Sequence, residues 1–201
     1  MERLDAIVAG IGVLVVAVAI GGVVATGPGG QPTFDVVFQE VRSPLAPQQA
    51  SFTGDASVEV PFNLAAQPNL TRLEVTVRVA GAGLRAAGDA LTITLVGPDG
   101  REETQEAQLP PGGAADASVT FQRTFRSLPA AQQVRAADEA AAVAAAQVPA
   151  AAQNGTGTWT VTVAASTQGP PPLHVENHTV AVEPVAFTFR GVVPTAVVDP
   201  R

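Results

Sequence analysis

Leu73, Val75, Val77 and Val79 alternate with Arg72, Glu74, Thr76 and Arg78. Successive side chains of a strand point to opposite faces, so this stretch suits a strand with one dry face and one wet face. A helix would scatter the same residues around its axis. Leu91, Ile93 and Leu95 repeat the pattern, as do Val58, Val60 and Phe62. Val119 and Phe121 line a further strand, with Phe125 beyond them, and Trp159, Val161 and Val163 alternate with Thr158, Thr160 and Thr162. A weaker first strand is expected over Thr33–Gln39, followed by a loop over Ser43–Gln49, and the last strands around Leu173–Val175 and Thr179–Val192, with Phe187 and Phe189 on one face. Gly97-Pro98-Asp99-Gly100 supplies a turn. These features predict a mainly β fold, an antiparallel β-sandwich of the jelly-roll or immunoglobulin-like kind. The expected core is Leu73, Val75, Val77, Val79, Leu91, Ile93, Leu95, Trp159, Val161 and Val163. A slip of one residue would exchange these for threonines, so register is strongly specified.

One segment breaks the rhythm. Ser127–Val148 is rich in alanine, with Ser127 as a candidate cap, Pro129 in the first turn and Pro149 as a stop. It predicts a helical insert of about four to five turns lying over an edge or end of the sheets.

Ahead of the strands, Ala6–Ala25 holds twenty consecutive residues with no charge. As a helix it would span roughly 30 Å, the thickness of a bilayer core. A single transmembrane helix over residues 6–26 is the expectation, read as a retained signal anchor; a cleaved signal peptide is the alternative, with Val23-Val24-Ala25 ahead of a possible cut. Arg3 precedes the run and no basic residue follows until Arg42, which places residues 1–5 in the cytoplasm and the rest outside. Residues 27–32 form a Gly/Pro linker, and 33–201 one extracytoplasmic domain with its insert at 127–148.

Absence of cysteine removes disulfides, thiolate nucleophiles and zinc–sulfur sites. All 11 basic residues are Arg, and the formal charge of −7 argues against nucleic acid as a partner. The absence of cysteine points to an archaeal or bacterial surface, and the Arg-only basic set, with the richness in Ala, Gly, Val and Pro, looks like the product of a GC-rich genome. Three of the chain's asparagines begin acceptor triplets: Asn69, Asn154 and Asn177. They are the glycosylation candidates.

Reactive chemistry is thinly represented. His174, Glu176 and His178 have the spacing to share a strand face, yet read more simply as exposed polar residues at a turn. Asp89, Asp99 and Asp116, beside glycine-containing loops, read as solvated turn residues, and Glu102, Glu103 and Glu106 as a solvated face. No serine sits in a Gly-x-Ser-x-Gly elbow. Trp159 alternates with threonines and belongs to the core. No catalytic, cofactor or metal residue is therefore assigned, and no enzyme activity is expected.

LTITLVGPDG (Leu91–Gly100) followed by NGTGTWTVTV (Asn154–Val163) resembles the jelly-roll P-domain that accompanies subtilisin-like proteases and related secreted accessory sandwiches. The resemblance implies a sandwich fold, and family calcium binding would map to Asp99. The layout, an apolar N-terminal helix before a sandwich head, is similar to archaeal pilins and archaellum accessory proteins. The expected function is a membrane-anchored domain that binds another envelope protein or a glycan. A non-catalytic accessory subunit of a membrane complex, or a pilin-like filament subunit, is the alternative.

Overall fold

The computed structural model describes residues 31–53, 56–82, 90–108, 115–146, 148, 155–166 and 177–197. The strands are β1 (Thr33–Pro44), β2 (Gln48–Thr53), β3 (Ser57–Leu64), β4 (Leu70–Ala82), β5 (Ala90–Val96), β6 (Glu102–Gln108), β7 (Ala115–Thr124), β8 (Gln132–Arg135), β9 (Gly157–Ser166) and β10 (Asn177–Val197), with helix α1 (Glu139–Ala145) after β8. One sheet runs β7-β4-β10-β1-β8, with β2 also paired to β10; the other runs β3-β9-β5-β6. Every ladder is antiparallel. The fold is a mainly β sandwich.

Its core is what the alternation predicts. All ten expected residues are buried, and they meet Val60, Phe62, Leu64, Phe121, Val180 and Val182 in one cluster drawn from both sheets. The threonine rows face outward: Thr94 and Thr104 share a hydrogen bond at 3.0 Å, as do Thr76 and Thr120 at 3.2 Å. The sandwich is also tied across one open side, where Gln105 of β6 donates to the Thr120 carbonyl of β7 at 3.1 Å.

A second, smaller core lies on the other face of the larger sheet. Glu40 pairs with Phe189 across the β1–β10 ladder and meets Arg72 on the outward row of β4. Phe38 and Phe189 therefore point away from the first core. They are joined by Phe34, Val36, Ala136 and Ala142, with Val134 and Val193 against them. Strand β10, 21 residues long, serves both: Val180, Val182 and Ala186 face the sandwich, Phe189 the outward core.

Several expectations need correction. The helix predicted over 127–148 is one of 7 residues, Glu139–Ala145. Asp138, not Ser127, is its cap, accepting from the Ala141 N–H at 2.7 Å. Gln132–Arg135 instead pairs with β1. Alanine-rich propensity is worth a few tenths of a kcal/mol per residue and yields to a strand edge offering backbone hydrogen bonds and a place for Val134. β1 reaches Pro44 and β2 begins at Gln48, so the loop expected over 43–49 shrinks to residues 45–47, held by Leu45 N–H donating to the Pro184 carbonyl at 2.9 Å. The expected Thr179–Val192 strand is Asn177–Val197; Leu173–Val175 lies outside the described residues, as does the whole span of residues 6–26. Among the described residues no helix is long and apolar enough to cross a membrane.

Candidate functional site

At the end of the sandwich where β5 turns into β6, the chain builds a pocket whose lining residues Arg123 and Phe125 pack on the buried Trp159. Pro98 and Asp99 round the corner, with the Gly97 N–H donating to the Arg101 carbonyl at 3.0 Å and the Gly100 N–H to the Gly97 carbonyl at 2.9 Å. A Cβ at Gly97 would lie 2.8 Å from Asp99 Oδ1 and 3.1 Å from the Trp159 ring, so a side chain there would crowd both the turn and the indole. Trp159 is fully buried and donates its indole N–H to the Gly155 carbonyl at 2.8 Å. Phe62 stacks on it at 6.4 Å and Phe125 meets it edge-on at 6.2 Å.

The inward row of β7 reads Ala117, Val119, Phe121 and then Arg123, which pairs with inward-facing Leu73. An arginine thus holds a core-facing position. Its side chain is 17% exposed and its guanidinium carbon stands 5.5 Å from the centre of the Trp159 ring, a cation–π distance. Asp99 lies between two arginines: Oδ2 is 3.8 Å from Arg123 and 3.5 Å from Arg101, while Oδ1 accepts from the Arg101 backbone N–H at 3.2 Å. Asp99, Arg101, Arg123, Thr124 and Phe125 line a cavity of about 410 Å³.

A separate ionic cluster lies on the outward face of the larger sheet and joins β1 to β4. Glu40 accepts from the Thr71 hydroxyl at 2.6 Å and from Arg72 at 3.2 and 3.4 Å. Arg72 also reaches Glu74 at 3.2 Å and covers the Phe187 ring at 3.7 Å. The Thr71 hydroxyl holds the Glu40 carboxyl below the ordinary carboxylate range; burial opposes this and Arg72 adds to it. A carboxylate with a lowered folded pKa stabilises above its unfolded value, about 4.3, and loses that contribution as pH falls through the folded value. Acidification below about pH 4.3 should therefore cost the protein more stability than it costs Glu40→Gln. Denaturant midpoints of the two proteins across that window check it; parallel acid profiles would refute it.

The sequence-predicted sites are scattered. Asn69 is exposed in the turn before β4, its carbonyl taking the Phe189 N–H at 3.1 Å, and Asn177 is exposed at the start of β10. Asn154 lies outside the described residues, as do His174, Glu176 and Asp89. His178 is not an exposed turn residue: it lies within β10, 1% exposed, stacked on Phe52 at 4.8 Å. It takes the parity of Val180 and Val182, which turns it inward. Asp116 is exposed near the start of β7. Among the described residues no His, Cys, Asp and Glu side chains gather as a metal cluster. The arginines of the pocket were not singled out from sequence; the signal was available in Arg123, which interrupts the period-two row begun by Val119 and Phe121.

No family model matches the chain, and no curated protein matches it. Solved structures similar to it include that of infectious bursal disease virus Gx strain, at 14% identity and a TM-score of 0.31, covering 81% of this chain and 38% of that one. The D431N mutant VP2 protein of the same virus, in derived T=1 particles, is 13% identical with a TM-score of 0.33, covering 81% and 44%. The chain thus spans about two-fifths of the length of these structures. The sandwich assignment rests on the sheets themselves.

Proposed function

We propose that the chain is a membrane-tethered, extracytoplasmic β-sandwich of jelly-roll type with a structural or protein- and glycan-binding role at the cell envelope, and no chemistry of its own. The observation that carries this reading is the register at one end of β10. Thr33 pairs with Val197, so the polypeptide that follows the apolar run enters the domain at one end of that strand. Twenty-one residues at about 3.3 Å each put Asn177 roughly 65 Å away along it. An anchor at residues 6–26 would hold the domain by that end, with the sandwich and exposed Asn177 turned outward, where a glycan on Asn69 or Asn177 meets no packing obstacle.

Alkaline carbonate extraction of native membranes should leave the full chain in the pellet, and protease added outside intact cells should remove the sandwich. Release into the carbonate supernatant, or protection from the protease, would overturn the tethered arrangement. Intact mass of the pelleted protein above that of the bare polypeptide is the expected sign of glycan.

A further inference from the structure

We propose that the pocket beside Trp159 binds a carboxylated sugar, a uronic-acid unit of a glycan. This inference rests on the interaction reading above and names the ligand class. The starting point is Arg123. Its five N–H donors make no hydrogen bond to a described residue, and its contact with Asp99, at 3.8 Å, lies outside the hydrogen-bonding range of about 2.7–3.2 Å. A guanidinium held against the Trp159 ring and so weakly paired keeps its donors available to a ligand in the pocket that it lines. Asp99 does not satisfy those donors, because the turn holds its carboxylate 3.8 Å from Arg123.

Charge and shape then narrow the ligand. Two arginines against one aspartate leave a single positive charge in the pocket, in a chain whose formal charge is −7. A carboxylate balances it and matches the planar guanidinium fork in a bidentate pair, whereas a dianion meets Asp99 with one negative charge to spare. The remaining lining suits a polyhydroxylated ring. Asp99 accepts from hydroxyl groups, Thr124 donates or accepts, and the Phe125 ring offers an apolar wall. A volume of about 410 Å³ exceeds what one acidic side chain fills and lies in the range of small-ligand sites. Two parts of the wall are preformed: the turn is held by its own hydrogen bonds, and Phe125 packs so tightly on Gly155 that a Cβ there would come within 2.5 Å of the ring. A preformed site spends little ordering entropy on binding.

Trp159 is the only tryptophan and there is no tyrosine, so fluorescence of the full chain in detergent comes from one indole, which packs against the pocket residues Arg123 and Phe125. Titration with D-glucuronate should give a saturable change, confirmed by calorimetry, with D-glucose binding about tenfold more weakly or worse. Arg123→Gln should weaken glucuronate by about tenfold or more. Arg101→Gln, at a 78% exposed side chain that the fold does not need, should weaken it measurably and guards against a folding defect at Arg123. No saturable response to glucuronate, equal binding of glucose, or unchanged affinity in Arg101→Gln would each overturn the proposal. Tighter binding of sulfate would overturn the carboxylate assignment, and tighter binding of N-acetylglutamate amide the sugar. Carbonate extraction reads the tether and is blind to this pocket, so failure of one reading is told apart from failure of the other.

Discussion

Truncating Trp159 to Ala should cost the domain about 3–5 kcal/mol, whereas Thr160→Ala, one residue on, should cost under about 0.5 kcal/mol. The contrast follows from the pleat. Trp159 is fully buried between Phe62 and Phe125, under the Gly97 turn and the Arg123 guanidinium. Thr160 points to the outer face, across from Pro61 and Val96. Removing the indole leaves a cavity, an unpaired Gly155 carbonyl and an arginine without its ring, and none of these can be refilled by neighbours held in two ladders. Against the ~5–15 kcal/mol typical of a domain, the tryptophan change removes a large share of the total. Chemical melts followed by far-UV circular dichroism measure both variants without relying on the deleted fluorophore. Equal small losses would show that Trp159 is not a core residue.

Legibility divided along the same physical line. Where one face of a strand is dry and the other wet, period two declares itself, and β3, β4, β5, β7 and β9 were readable for that reason. β6 (EETQEAQ) and β2 (QQASFT) carry few large apolar residues and are strands because a neighbour offers them a hydrogen-bonding edge. Composition does not encode that offer. Phe34, Val36 and Phe38 do alternate, but a sequence does not say which side of a sheet such a row faces; they pack outward, against α1 and β8. The alanine-rich segment failed as a long helix because backbone pairing to β1 outweighed propensity. Of the pocket, only the turn and the buried tryptophan were legible. Between Arg123 and the turn lies β6, and between Arg123 and Trp159 lie β8 and α1, so closeness between residues 99, 123 and 159 is a product of the closed sandwich.

Phe189→Ala should also cost about 3–5 kcal/mol, and the protein should still unfold in one step. Phe189 is 4% exposed, meets Phe38 edge-on at 5.6 Å, and lies under the Arg126 guanidinium at 4.9 Å. The aromatic pair adds about 0.5–1.5 kcal/mol beyond its buried area, so the loss belongs near the upper part of that range. The single step follows from connectivity. The outward core and the sandwich core share β10, which pairs with β1 from Val185 onward and with β4 from Asn177 to Thr188. Glu40, Thr71 and Arg72 further fasten β1 to β4 across it. Loosening β1 and α1 therefore strips one ladder partner from the strand on which Val180, Val182 and Ala186 are mounted. Trp159 fluorescence reports only the sandwich, while far-UV circular dichroism reports both cores, so the two probes should trace one coincident transition at a lower midpoint. If the dichroism signal fell first and the Trp159 signal kept its wild-type midpoint, β1, β8 and α1 would be an independently melting layer on a sandwich that holds without them.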